Sequence, residues 1–436
     1  MNAIAKDYFM KSHYPACRQV LTPPDTGISN LKEYIPDIID ALTTPLTTEE
    51  ASSGTYQAPI PPRIAMTGTY DEMMEYFEGD LFVPSEVSGG PWAWMTDGQP
   101  IVPPTEERVA KMLTGTSHSP DEEIYFKEWM APPGSPPEHI ATIEKVAINA
   151  VMAGAKPEML PGILAIAESG ACVGYPGDFT FTHFYIVSGP YAKEIGMNQG
   201  FAFLCSGNPA NMCMQRACSL MGVNLGKVEH SVTNGERMGS PYWGTTFAES
   251  VVTPWDTINV DLGYEPSESV MLAYSGPFYF EPGVGSHVAL PTTLEELQSS
   301  SPEKLVENLR AYSRGNTKGM IVFSPDTAKK WKEKFGFDSI QEMQDYFWEN
   351  VTWPAGDWYN EYFFVTHRHS VALSQVEHDP AIKRIDSSYL NLPPDTMVPK
   401  FSSPETIRIV VAGGAGEAFG YGYYSSERIL SIDKWR

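Results

Sequence analysis

The sequence predicts an α/β (or α+β) protein. It would hold two related α/β lobes with mixed sheets, long Pro/Gly-rich connections and an N-terminal arm. Three observations point to this class. Four apolar runs end in turns of small residues: FYIVSGP (184–190), VMLAYSGP (270–277), MIVFSPD (320–326) and IVVAGGAG (409–416). Two of them continue alike, as SGPYAKEIG at 188–196 and SPDTAKKWKEKFG at 324–336, each reading strand, short turn, Ala-Lys, helix, Gly. The 36 Gly and 37 Pro in 436 residues call for many turns and long irregular connections. Strand ends that stop in small residues are common ligand sites in α/β proteins, so the turns of two such lobes are expected to converge on one crevice.

Residues 1–62 form the arm. Within it Leu31, Tyr34, Ile35, Ile38, Ile39 and Leu42 share one helical face, and Thr/Ser/Pro-rich text follows through Pro62. The first lobe is expected at 63–290 and the second, with an aromatic loop region, at 291–436. Residues 68–78 read as a helix capped by Thr69 or Asp71. Asp97-Gly98 marks a turn, and Thr105 with Glu106 and Glu107 opens another helix with acids at its positive end. From Thr142 to about Ala153, Ile143, Val146, Ala147, Ala150 and Val151 form one apolar face; Gly154 is placed to cap it and Pro157 prevents continuation. Residues 158–168 make a second apolar helix. Two such helices should lie buried, so Glu144, Lys145 and Asn149 need partners. The stretch from His183 to Cys218 reads strand, SGP turn, short helix, then a Ser206-Gly207-Asn208-Pro209 turn opening a longer helix. Helices are expected over 294–313, broken at Ser299–Pro302, and over 339–350. Trp353 to Phe401 is loop-like and aromatic, suiting a lid or interface, and a Gly-rich loop, GGAGEAFGYGYY, precedes the terminal RILSIDKW.

Composition narrows the function classes. A formal net charge of −24 with no basic face argues against nucleic acid. Five cysteines, an odd number without a CxxC pair, suit a reducing compartment better than a disulfide framework. The first residues lack the apolar core of a secretion signal, and no apolar run approaches spanning length. The expectation is a cytoplasmic protein that handles small molecules or proteins, away from membranes.

Several patterns bear on chemistry. The loop at 413–422 follows a strand but lacks GxGxxG spacing, a following strand with its acid, and a Walker Lys-Ser/Thr, so no nucleotide motif is present. Amides of Gly413 and Gly414 are still candidates for a small-anion or substrate site. His367 and His369 lie two apart, on one face of a strand, with Glu377 and His378 nearby; they are the metal candidates, although no HExxH or Cys/His spacing supports them. The cofactor is therefore left unassigned. Cys205, Met212, Cys213, Met214 and Cys218 are soft groups that an apolar buried helix would also contain; Cys205, ahead of the turn, is the best thiol candidate. Neither Ser188 nor Ser206 sits in GxSxG. The polar set assigned to the crevice is Glu144 or Glu249 as general base, His183 or His230 as proton carrier, and Arg216 as anion clamp. Lys145, Asn149, Asn198, Asn208 and Asn211 complete it. Satisfaction of buried backbone accounts for several of these asparagines equally well.

The segments MTDGQPIVPPTEERV (95–109), TIEKVAINAVMAGAKPE (142–158), GPYAKEIGMNQG (189–200), GNPAN (207–211), FAES (247–250) with Pro254-Trp255, and VVAGGAG (410–416) are distinctive together. They resemble a largely uncharacterised bacterial family of large proteins seen alongside a small UGSC-type (seleno)protein. The resemblance spans most of the chain after about residue 65. It implies an enzyme component whose partner supplies a reactive Cys or selenocysteine, since this chain has no Gly-Ser-Cys run. Glu144, Lys145, Asn149, Asn198, Asn208, Asn211 and Glu249 match the family pattern. Ala155 stands where a Cys is common, Pro209 where an Arg is common, and the tail after Gly416 is aromatic and charged, which puts an identical substrate in question. The expected function is an enzyme subunit, in a homo- or hetero-oligomer, acting on a small organic molecule by redox or elimination chemistry with help from a partner thiol or selenol. A metal-dependent hydrolase or lyase, and a non-catalytic scaffold for a partner enzyme, are the alternatives.

Overall fold

The computed structural model describes residues 32–48, 63–78, 82–84, 91–93, 96–126, 139–170, 182–226, 244–276, 281–283, 301–312, 318–357, 392–417, 419–424 and 426–436, together with residues 20 and 389. Its central strands are β1 (Thr182–Ser188), β2 (Gly244–Ala248), β3 (Val270–Gly276), β4 (Glu281–Gly283), β5 (Lys318–Phe323), β6 (Ile407–Val411), β7 (Phe419–Tyr424) and β8 (Ser426–Ser431). They form two four-stranded mixed sheets, β2-β1-β3-β8 and β6-β5-β7-β4. In the first, β1 runs parallel to β2 (Val187 opposite Ala248) and antiparallel to β3 (Phe184 opposite Tyr274), and β3 is antiparallel to β8. In the second, β5 runs parallel to β6 (Phe323 opposite Val411) and antiparallel to β7 (Ile321 opposite Tyr421), and β7 is antiparallel to β4.

One strand order therefore occurs twice, which is what the repeated strand-turn-helix text predicts. The fourth strand is exchanged: β4 follows the first three strands in the chain but pairs in the second sheet, while the C-terminal β8 pairs in the first. A cut of the chain at residue 290 leaves one strand of each sheet on the far side.

The two-residue period of extended chain decides the layers. Along β1, Phe184 and Ile186 face the other sheet, where they meet Met320, Val322 and Val410; Tyr185 and Val187 face the helices. Along β5 and β6, Ile321, Phe323, Ile407, Ile409 and Val411 face a second set of helices. The result is helix layer, sheet, sheet, helix layer, with three apolar cores between them.

The outer helices form where local chemistry closes their ends. Preceding the body is α1 (Ile35–Thr43), then α2 (Tyr70–Glu78), which Thr69 and Glu72 cap reciprocally: the Thr69 amide donates to Glu72 Oε2 at 2.7 Å and the Glu72 amide to Thr69 Oγ1 at 3.3 Å. The first layer contains α3 (Glu106–Leu113), α4 (Ile143–Met152), α5 (Leu160–Glu168), the single turn α6 (Tyr191–Glu194) and α7 (Pro209–Asn224). Thr105 and Thr142 cap α3 and α4, and Gly154, at φ +81°, ends the latter in the left-handed conformation that a side chain resists. Leu160 to Ala167 are all buried, as their unbroken apolar text requires. A short helix, α8 (Ile258–Asp261), follows β2. The second layer is α9 (Pro302–Tyr312), α10 (Pro325–Glu333), capped by Ser324, and α11 (Ile340–Asn350), capped by Ser339.

Three expectations need correction. FGYGYY is not loop: it is β7, whose Gly420 and Gly422 dilute the apolar signal while Phe419 and Tyr421 fill the second core. The terminal RILS is β8 rather than a tail. The ends of the aromatic segment are core-bound, since Thr352–Pro354 pairs with Met397–Pro399 and Phe401 is buried. Its middle, with His367 and His369, lies outside the described residues, as do His230 and the expected helical half at 294–298.

Candidate functional site

The parallel strands end side by side, as the crevice reading requires. The amide of Ser250, just past β2, donates to the carbonyl of Val411 at the end of β6 (2.7 Å). The lobes also match here in detail: the Glu249 amide donates to Val187 and the Ala412 amide to Phe323, both at 2.9 Å, so Glu249 and Ala412 are equivalent positions. Only the first lobe carries a carboxylate there.

That carboxylate is enclosed. Glu249 is 5 % exposed and Ser188 1 %. The Ser188 hydroxyl donates to Glu249 Oε2 at 2.5 Å, the Ile258 amide donates to the same oxygen at 2.9 Å, and the Asn259 amide donates to Ser188 Oγ at 3.0 Å. Together they cap the first turn of α8. Burial pushes the Glu249 carboxyl up to about 7, against the pull of those two donors. A carboxyl poised near neutrality suits a general base. The void beside it, however, measures only about 10 Å³, room for one water at most.

The asparagines of the opening stretch knit a loop together. Asn208 Nδ2 donates to the carbonyls of Ala202 and Cys205, both at 2.8 Å, and Asn198 Nδ2 donates to Asn208 Oδ1 and to the Phe201 carbonyl, again at 2.8 Å. Asn211 accepts from the Asn198 amide (3.1 Å) and donates to Phe203 (3.2 Å). The loop so fixed lies on the end of β6: the Gly413 amide donates to Gln199, and a Cβ on Gly414 would stand 2.3 Å from the Phe201 ring. Gly413 and Gly414 thus allow close packing of this loop. The strand ends are packed shut, not open.

Other predicted residues separate from this place. His183 sits at the opposite end of β1, five residues from Ser188, roughly 16 Å of extended chain. Burial pushes its imidazole down to about 4, against a bond to the Tyr274 backbone, which leaves it neutral at pH 7. It cannot exchange a proton with Glu249 directly. Arg216 is no anion clamp: it forks onto Asp97 (2.8 and 2.9 Å) and reaches the carbonyls of Gln99 (3.1 Å) and Pro100 (2.8 Å), pinning the Asp97-Gly98 turn to α7. Cys218, buried against Tyr185 Oη at 2.9 Å, has its thiol pushed up to about 12 by burial, and Cys213 is raised for the same reason. Neither is a ready thiolate. Cys205 is exposed.

The remaining candidates meet at a groove in the first helix layer. Its volume is about 680 Å³, and its walls come from residues 63–77, the start of α3, one side of α4 and the end of α7. Met66, Met73, Phe77, Ile148, Met152 and Leu225 give it an apolar floor. Asn149, 2 % exposed, donates to the Lys145 carbonyl (2.9 Å) and accepts from Asn224 Nδ2 (2.8 Å), so it joins α4 to α7 beneath the groove. Lys145 is exposed on the wall and, among the described residues, its ammonium has no partner. Arg63 bridges Glu106 (2.9 Å) and Glu144 (2.8 Å), tying the chain ahead of α2 to α3 and α4. Glu144 is occupied by this ion pair.

No family model matches the chain, and no curated protein matches it either. Among the described residues no group of three or more His, Cys, Asp and Glu is arranged to hold a metal ion, and no helix is long and apolar enough to cross a membrane.

Three features are not legible in the sequence. Asn224 and the α2 side of the groove depend on contacts distant in the chain and leave no local signal. Arg408, 8 % exposed, forks onto Glu427 across the two sheets, where Tyr274 also donates to that carboxylate at 2.7 Å. A charged residue between Ile407 and Ile409 in an apolar strand was the available clue.

Proposed function

We propose that the groove binds a small organic molecule with an apolar body and a polar head, and that the chain is the substrate-holding subunit of an enzyme. One observation carries this reading: a concave, largely apolar site of about 680 Å³ contains Lys145 and Asn149. Small-molecule sites run from roughly 300 to 1,000 Å³ and pair apolar walls with a few fixed polar groups. Arg63 is already balanced by Glu106 and Glu144, so Lys145 and Glu107 are the charges left on the walls for a ligand's head.

Among the described residues that line the groove there is no thiol and no imidazole. This suits a division of labour in which a small Cys- or selenocysteine-bearing partner supplies the reactive atom for a redox or elimination step. The metal-dependent alternative draws no support from the described residues.

The test is titration with 8-anilinonaphthalene-1-sulfonate, an apolar probe with an anionic head. Ile148→Trp, which fills the floor, should weaken its binding about tenfold or more, and Lys145→Met, which keeps the stem and removes the charge, by several-fold. Equal binding by the unaltered protein and Ile148→Trp would refute the groove as the site. Pull-down with a small thiol- or selenol-bearing protein, followed by assay of the pair with Lys145→Met, tests the enzyme half of the reading.

A further inference from the structure

We propose that the ligand of the groove is a zwitterion, an α-amino acid with a sizeable apolar side chain; this rests on the groove being the ligand site and names what it holds. Four charged side chains line the groove: Arg63, Glu106, Glu107 and Lys145. Arg63 is taken up by Glu106 at 2.9 Å and Glu144 at 2.8 Å. One charge of each sign remains, Glu107 and Lys145, and neither has a partner among the described residues. Opposite charges that share an apolar groove without meeting leave room for a molecule that carries both.

The two charges stand at one end of the groove. Arg63 holds the first turns of α3 and α4 together through Glu106 and Glu144, and Glu107 and Lys145 are the next residues of those turns. Along α4 the polarity then falls. Lys145, Ile148, Asn149 and Met152, spaced i, i+3, i+4 and i+7, form one stripe on the groove side. That stripe rises about 10 Å along the helix, enough for an amino-acid head with a benzyl or butyl side chain. Asn149 adds a fixed donor below the head. Its amide carries two hydrogens, of which one goes to the Lys145 carbonyl, while Oδ1 accepts from Asn224; the second hydrogen has no acceptor among the described residues. A plain anion would meet Lys145 but also Glu107 and the field of a chain with a formal net charge of −24, and a plain cation would meet Glu107 but also Lys145. A zwitterion sets its carboxylate on Lys145 and the Asn149 donor and its ammonium on Glu107.

Calorimetric titration of the full chain tests this with L-phenylalanine, with phenylpropionate, which lacks the ammonium, and with phenylethylamine, which lacks the carboxylate. Phenylalanine should bind at least about fivefold more tightly than either. Lys145→Met should remove its advantage over phenylethylamine, and Glu107→Gln its advantage over phenylpropionate, with phenylpropionate itself bound by Glu107→Gln no more weakly than before. Both positions are exposed, so neither change should lower the melting temperature. Equal binding of phenylalanine and either single-charge analogue overturns the proposal, as does failure of both phenylalanine and its butyl counterpart norleucine to bind. The two readings fail separately. Phenylpropionate bound as well as phenylalanine, and lost with it in Ile148→Trp, sinks the zwitterion and keeps the groove. Dye and phenylalanine binding that both ignore Ile148→Trp sink the groove itself.

Discussion

Replacing Glu427 by Gln should cost this protein about 3 kcal/mol of stability, because it strips the counter-charge from a guanidinium held between two sheets. Arg408 donates from Nε at 3.1 Å and from Nη2 at 3.0 Å to the two carboxylate oxygens, and Tyr274 donates at 2.7 Å. The side chains are 10 % and 19 % exposed, so water relieves little of the uncompensated charge. Breaking a buried pair from one side costs about 3–5 kcal/mol, against about 0–1 kcal/mol for a surface pair; the residual exposure of Glu427 puts this one at the low end of the buried range. Arg408→Met should cost less, because the stranded carboxylate is the better hydrated partner. The double variant Arg408→Met, Glu427→Gln should recover about 2 kcal/mol relative to the sum of the singles. Urea unfolding followed by tryptophan emission and far-UV dichroism would give all four corners of the cycle. Singles within about 1 kcal/mol of the unaltered protein, with additive effects, would mean that the apolar contacts alone hold the sheets together.

Two further outcomes follow from buried polar groups. The fold favours the protonated form of Glu249, whose carboxyl lies at about 7 instead of 4.5. Its contribution to stability is complete below about 4.5 and is lost as pH rises through about 7, at about 1.4 kcal/mol per unit; Glu249→Gln should flatten that fall in thermal melts taken across the window. In the first helix layer, Tyr191 Oη accepts from the Gly162 amide at 3.0 Å and donates to the Glu158 carbonyl at 2.9 Å. Tyr191→Phe leaves a buried amide unpaired and should cost about 1–3 kcal/mol in the same urea assay, with dye binding in the groove unaltered.

Local text was a good guide wherever the chemistry is local. The caps at Thr69, Thr105, Thr142, Ser324 and Ser339 are written within a few residues of the helices they start, and the Gly154 stop sits next to the helix that it ends. Alternate glycines remove half of the pattern of β7, and the SERILS text of β8 mixes polar and apolar residues without a clean alternation, so neither reads locally as a strand. Of the polar residues selected as a site, Lys145 and Asn149 meet at the groove. Arg216 turned out to hold a turn and Asn198, Asn208 and Asn211 to hold a loop, because a sequence shows that a polar group needs a partner but not whether that partner is backbone or ligand.

The sequence by itself determined most of the helices, the apolar strands that end in small-residue turns and the apolar face of each, and it showed one strand-turn-helix pattern twice. Those properties depend on residues within a few positions of one another. Only the tertiary structure decided that β4 and β8 change sheets, that the strand ends close over Glu249, and that the open groove lies beside α4. An apolar face attracts any other apolar face, so periodicity leaves the partner open. Register, edge pairing and the shapes of 436 packed residues choose it.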